Sequence, residues 1–322
     1  MKKKLYNIMV VIGTRPEAIK MMPLYLTLQK DKRTNPVLVS TGQHRQMLNQ
    51  VFSIFGTKPD IDLKIMKPNQ TINSITISVM SGIRKVILDS NPDAILVHGD
   101  TTTCLAAALA ASFEKVPIGH VEAGLRTYNL DSPWPEEINR RLVDPISRWC
   151  FAPTKSSAKN LKSENIDEKN IFITGNTIID SLLIVEKYIK SNKPSIPDLP
   201  LKKLKDKKLI LVTGHRRESF GEPFKQFCLA LKDLSEMHEN IEIVYPVHLN
   251  PKIRKPAFKI LGAASRIHVI RPIDYLSFIY LMQKCYLIIT DSGGIQEEAP
   301  TFNKPVIVTR NVTERFEAVE AG

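Results

Sequence analysis

The chain of 322 residues has neither a G-x-G-x-x-G nor a G-x-x-x-x-G-K-[ST] segment, so no dinucleotide fingerprint and no P-loop is available to it. Cysteine is scarce. Cys104, Cys150, Cys228 and Cys285 lie far apart inside apolar segments with no C-x-x-C spacing, which points to buried free thiols in a reducing compartment. The seven histidines never fall at H-x-x-x-H, and no metal site is expected. No apolar run approaches the length of a membrane span, and the one after Met1-Lys-Lys-Lys4 stops at Gly13-Thr-Arg15, too early for a signal peptide. A cytoplasmic protein without membrane insertion is expected. Aromatics make up 7% of the residues and no basic run is interleaved with them, so a base-stacking surface has little support and nucleic acid is not the expected partner. The excess of 45 Lys and Arg over 33 Asp and Glu reads as a solvated lysine-rich surface that also favours anionic small molecules.

What is present is an alternation. Short β-branched runs predict strands at Asn7–Ile12, Val37–Ser40, Ala94–His98, Pro117–Val121 and Ile171–Thr174. Further strands are predicted at Leu209–Val212, Ile241–Val247, Ile267–Ile270, Leu287–Thr290 and Val306–Val308. Helical patterns such as Thr101–Phe113 and Phe224–Met237 lie between them. Continuously apolar strands separated by helices predict parallel sheets covered on both faces, hence a doubly wound α/β fold. The stretch Lys190–Lys208 is rich in Lys, Pro, Ser and Asp and reads as a surface connection between two halves. Residues 1–175 and 176–322 are the expected domains, with ligands at the carboxyl ends of the strands.

Those strand ends carry the polar residues. After Met9–Ile12 come Gly13-Thr-Arg-Pro-Glu-Ala-Ile-Lys20, where Pro16 suits a first helical turn and Arg15 and Lys20 could hold a phosphate at the helix N-terminus. Leu287–Thr290 leads into Asp-Ser-Gly-Gly294, a second such mouth, and two of them suggest a diphosphate. Asp100, in His98-Gly-Asp-Thr-Thr-Thr103, is a candidate acid, although an Asp before a helix also serves as an N-cap. Glu122, in His120-Val-Glu-Ala-Gly-Leu-Arg126, is a poor cap and a stronger candidate, with a buried ion pair to Arg126 as its structural alternative. In Ser132-Pro-Trp-Pro-Glu-Glu137 the two glutamates point in different directions on a helix, so only one need face inward. His215, flanked by Gly214, Arg216 and Arg217, is placed for anion contact, while His248 is ambiguous. Three carboxylates with phosphate-binding groups suggest acid–base chemistry on a nucleotide sugar.

Six segments in order, Gly13–Lys20, His98–Thr103, His120–Arg126, Ser132–Glu137, Thr213–Ser219 and Thr290–Pro300, resemble the non-hydrolysing UDP-N-acetylglucosamine 2-epimerases. The resemblance runs from about residue 7 to the end of the chain. It implies two Rossmann-like domains facing across a cleft, as in GT-B glycosyltransferases. It also implies interconversion of UDP-N-acetylglucosamine and UDP-N-acetylmannosamine by loss and return of UDP through a glycal, without a cofactor. By position it implies that Asp100, Glu122 and Glu136 are acid–base groups and that His215 steadies departing UDP. Arg15, Lys20, Ser292, Gly293, Gly294 and Arg315 are then phosphate contacts, Glu298 a ribose contact, and Phe278 a neighbour of the uracil. Gln43, Gln46, Arg216 and His248 match a regulatory UDP-N-acetylglucosamine site of bacterial members. A homodimer acting in envelope polysaccharide synthesis is the family expectation. The alternatives are a hydrolysing relative, a GT-B glycosyltransferase and a nucleotide-sugar-binding regulator. Two departures stand out: Phe316 replaces the usual Pro beside Arg315, and the family pattern continues for several elements past Gly322, which suggests an incomplete chain.

Overall fold

In a computed structural model the described residues are 5–42, 45–204, 206–214 and 221–309, with the side chains of 45–47, 202 and 203 left out. The chain divides into two compact units, Met1–Ile184 and Val185–Gly322.

The first unit holds a parallel sheet of β1 (Tyr6–Ile12), β2 (Thr34–Ser40), β3 (Ile61–Asp62), β4 (Ala94–His98), β5 (Ile118–Val121), β6 (Trp149–Ala152) and β7 (Ile171–Ile173), in the order β3-β2-β1-β4-β5-β6-β7. Helices α1 (Arg15–Lys30), α2 (Arg45–Ile54), α3 (Ile72–Ser90), α4 (Thr102–Phe113), α5 (Glu136–Ile146) and α6 (Lys155–Ser163) make the crossovers. The central strands are largely apolar because helices cover both faces. Met9, Val11, Val39, Ile95 and Val97 pack with Ile83 and Val86 of α3 and Cys104, Ala107 and Ala111 of α4. The alanines of α4 let that helix lie close on the sheet, and Gly13 is required where a Cβ would run into the hydroxyls of Thr103 and Thr41.

Helix α7 (Thr177–Ser191) contains the division between the units. The segment after it differs from the expected surface connection. Ile196, Leu199 and Leu204 are buried, so three apolar anchors fix what its composition suggested would be a solvated linker.

The second unit repeats the pattern with β8 (Lys208–Thr213), β9 (Ile241–Pro246), β10 (Ile267–Ile270), β11 (Leu287–Thr290) and β12 (Val306–Val308), parallel in the order β10-β9-β8-β11-β12. Here α8 (Glu222–Met237), α9 (Pro251–Leu261), α10 (Tyr275–Lys284) and α11 (Gly293–Glu298) complete the layers. Phe224, Cys228 and Leu231 of α8 and Ile253 and Ala257 of α9 close over Ile210, Val212, Ile243 and Tyr245. All four cysteines are free and buried. Among the described residues no helix is long and apolar enough to cross a membrane.

Each sheet therefore has one topological switch point, between β1 and β4 in the first unit and between β8 and β11 in the second. In such sheets the chain leaves neighbouring strands on opposite sides there and opens a crevice at their carboxyl ends.

Candidate active site

At the switch point of the first unit, β1 turns into α1 through Gly13-Thr14. The turn is held by a residue absent from the candidates above. Glu17 is buried, and its Oε2 accepts the N–H groups of Gly13 at 3.0 Å and Thr14 at 2.6 Å. Its Oε1 accepts the hydroxyl of Thr101 at 2.6 Å. Burial pushes this carboxyl up against the opposing pull of those hydrogen bonds. Thr14-x-x-Glu17 is a capping-box spacing, so the signal was in the sequence. Arg15 opens α1, half-buried, and one turn further Lys20 reaches across to β5 and pairs with Glu122.

Asp100 does not cap α4. Thr101 takes that place and accepts the N–H of Cys104 at 3.0 Å, which leaves the Asp100 side chain for other work. One of its carboxylate oxygens accepts from Arg140 at 2.5 Å, and its backbone carbonyl accepts from Asn139 at 2.7 Å. Burial raises its pKa. The Arg140 guanidinium opposes the rise, and the carboxylates of Glu122 and Glu136 add to it. Acids from the end of β5 and from α5 thus both lie within electrostatic reach of Asp100 at the end of β4.

Glu122 follows β5 with φ of +67°, in the left-handed region that a non-glycine residue seldom adopts. Its partner is Lys20 and not Arg126. Arg126 instead donates to Asp144 at 2.6 Å and to Glu164 at 2.6 Å, because those acids are presented by α5 and by the end of α6. His98 Nε2 lies 3.8 Å from Glu122, and burial, opposed by that carboxylate and reinforced by Lys20, lowers its pKa to about 4, so the ring is neutral near pH 7. The paired glutamates of α5 separate as their spacing requires. Glu137 is fully buried and accepts the N–H groups of Thr127 and Tyr128, each at 3.0 Å, while half-buried Glu136 faces Asp100 electrostatically.

At the switch point of the second unit, the hydroxyls of Thr213 and Thr290 lie 2.6 Å apart, and Thr290 accepts the N–H of Ser292 at 3.0 Å. Gly293 and Gly294 open α11, and Glu298 closes it. A Cβ on Gly294 would stand 3.8 Å from a Glu298 carboxylate oxygen, so the predicted group gathers on one short helix. Tyr245 donates to the carbonyl of Gly214 at 2.9 Å and anchors the end of β8. Phe278 is half-buried on α10, and His248 is exposed beyond β9, where its Nδ1 accepts the N–H of Asn250 at 3.1 Å. Gln43, His215, Arg216 and Arg315 lie outside the described residues, as does the side chain of Gln46. Asn139, Arg140 and Asp144 were also missed as site residues, although with Glu136 they form a polar stripe at helical spacing along α5.

The family described as UDP-N-acetylglucosamine 2-epimerase matches residues 26–322. The UDP-N-acetylglucosamine 2-epimerase of Escherichia coli K12 is 51% identical over 319 residues, covering 98% of this chain and 85% of the relative. The crystal structure of a UDP-GlcNAc 2-epimerase from Neisseria meningitidis, bound to UDP-GlcNAc, superposes with a TM-score of 0.88 at 48% identity, over 98% of this chain and 85% of the other. A UDP co-structure from S. aureus gives a TM-score of 0.87 at 48% identity, over 98% and 83% of the two chains. With 98% of its length matched at this level, the chain belongs to the UDP-N-acetylglucosamine 2-epimerase family.

Proposed function

We propose that this chain is a non-hydrolysing epimerase that interconverts UDP-N-acetylglucosamine and UDP-N-acetylmannosamine. The observation that carries the reading is that the carboxylates of Glu122 and Glu136 both lie within electrostatic reach of buried Asp100, with Lys20 and Arg15 on the adjoining helix. Inverting C2 requires a group to take its proton and a group to return one on the opposite face, which a ring of carboxylates supplies. One carboxylate removes the C2 proton. The C–H electrons form a C1–C2 double bond as the C1–O bond to the diphosphate breaks and UDP leaves with that electron pair. A second acid then protonates C2 from the other face while a diphosphate oxygen of UDP rejoins C1. The sum is an isomerisation with no redox change, and it requires no cofactor.

The resemblance assigns Ser292, Gly293 and Gly294 to the diphosphate and Glu298 to the ribose. Their gathering at the β8–β11 switch point supports that assignment. The same resemblance implies Phe278 beside the uracil and His215 and Arg315 on the diphosphate. The ligands of the Neisseria and S. aureus structures, UDP-GlcNAc and UDP, are the chemistry these groups suit.

The test is incubation of the protein with UDP-N-acetylglucosamine in heavy water. The reading expects UDP-N-acetylmannosamine to appear with deuterium at C2 of both sugars and with UDP still attached. Epimerisation without C2 exchange removes the proton-abstraction route, and stoichiometric release of UDP with free N-acetylmannosamine assigns the chain to the hydrolysing branch. Glu122→Gln keeps the shape and removes a base, so turnover should fall by ~10²–10⁴-fold with UDP affinity retained. Near-normal turnover would take Glu122 out of the mechanism.

A further inference from the structure

Helix α5 does more than carry Glu136. Its inner face holds the turns that bear the other two acids. Asn139 donates to the backbone carbonyl of Asp100 at 2.7 Å, and Arg140 holds the Asp100 carboxylate at 2.5 Å. One turn further along, Asp144 is fully buried and meets His120, itself fully buried on β5, with Oδ1 2.6 Å from Nδ1. The other ring nitrogen of His120, Nε2, donates to the carbonyl of Gly99 at 2.7 Å. Gly99 immediately precedes Asp100 and turns with φ of +68°. The second oxygen of Asp144 accepts the N–H of Gly124, two residues after Glu122, at 3.3 Å and the guanidinium of Arg126 at 2.6 Å. Burial alone would raise the Asp144 pKa, but the charges and hydrogen bonds of His120 and Arg126 outweigh it and hold the carboxyl below its ordinary value.

We infer that buried His120 is a positioning residue for Asp100: from β5 it holds the turn that bears this acid, while Asp144, its neighbour on α5, holds the turn that bears Glu122. His120 grips the Asp100 turn through the carbonyl of Gly99. Asp144 grips the Glu122 turn through the N–H of Gly124. Neither need touch substrate. The function assigned to the pair rests on the epimerase reading above, but its geometric content does not.

Two variants divide the contacts of His120. Asn has an amide at the position of Nδ1, so His120→Asn retains the Asp144 contact and lets go of Gly99. Gln has an amide at the position of Nε2, so His120→Gln retains Gly99 and lets go of Asp144. A misplacement of about 1 Å at a reacting group costs on the order of 10²-fold in rate. The inference expects H120N to lose roughly 10–100-fold in kcat with KM for UDP-N-acetylglucosamine within about twofold of the parent, and H120Q to lose only a few-fold. Crystal structures of both variants should show the Gly99-Asp100 turn displaced in H120N and retained in H120Q.

Parental kcat in H120N overturns the inference, as do equal kcat losses in the two variants or loss of the folded state in both, since His120 is then only a core residue. Inactive parental protein counts against the proposed reaction. The crystallographic comparison still decides the positioning claim in that case, and an undisplaced Asp100 turn in H120N refutes it.

Discussion

Glu17 offers the most direct test of how the first switch point is held together. Replacing it with Ala removes the acceptor of two buried backbone N–H groups, those of Gly13 and Thr14, and of the Thr101 hydroxyl. Each buried donor left without a partner costs about 1–3 kcal/mol, so the two N–H groups alone account for about 2–6 kcal/mol. The same substitution relieves the burial of a carboxylate, whose raised pKa records that its charged form is disfavoured there. The net loss expected for Glu17→Ala is therefore in the lower half of that range, about 2–4 kcal/mol. Glu17→Gln keeps one oxygen for the two N–H groups and turns its amide toward Thr101, whose hydroxyl accepts as readily as it donates, so it should cost about 1 kcal/mol or less. The assay is urea unfolding followed by tryptophan fluorescence. Both tryptophans, Trp134 and Trp149, lie in the first unit, so the signal reports that unit alone.

The pH dependence supplies a second readout. The folded carboxyl of Glu17 holds its proton to higher pH than the unfolded one. The stability from that extra proton uptake is full below about pH 4.5 and is lost as pH rises through the raised folded value. Glu17→Gln cannot titrate, so its stability relative to the parent should improve as pH rises through that window. Glu17→Ala within 1 kcal/mol of the parent, or no difference in pH slope between the parent and Glu17→Gln, refutes the reasoning.

Two other groups at the site make separate predictions. Arg140 opposes the burial that raises Asp100, so Arg140→Gln should push that carboxyl further up and move the acidic limb of the kcat/KM profile to higher pH; an unmoved limb excludes Asp100 as the titrating base. His98, lowered to about 4, should show no imidazole titration by NMR between about pH 5.5 and 8, and a midpoint near 6.5 would show that its ring is solvated.

The α/β alternation was legible because it is local. Ala94–His98, Ile267–Ile270, Leu287–Thr290 and Val306–Val308 fall where β-branched runs predict strands, and α4 starts one residue inside its predicted limit because Thr101, not Asp100, provides the cap. Two strands escaped. β3 has only two residues, Ile61 and Asp62, and β6 reads Trp-Cys-Phe-Ala, without a β-branched residue; both extend neighbours already in place. The chemistry-bearing turns were legible as well, since glycine and acidic residues interrupt apolar strands at Gly99-Asp100, Val121-Glu122 and Thr290-Asp291. Their partners were not. Lys20, expected at the phosphate, also meets Glu122, 102 residues away. Arg126, the alternative partner for Glu122, serves Asp144 and Glu164 instead.

By itself, then, the sequence determined most of the elements and which polar residues stand at the strands' carboxyl ends, because backbone preference and hydrophobic period act over a few neighbouring residues. Only the tertiary structure decided which charge meets which, because the order β3-β2-β1-β4-β5-β6-β7 places β1, β4 and β5 side by side across long stretches of chain. In a buried site the energy of an ionisable group depends on the charges and donors within a few ångströms of it, and that neighbourhood does not exist until the sheet has formed.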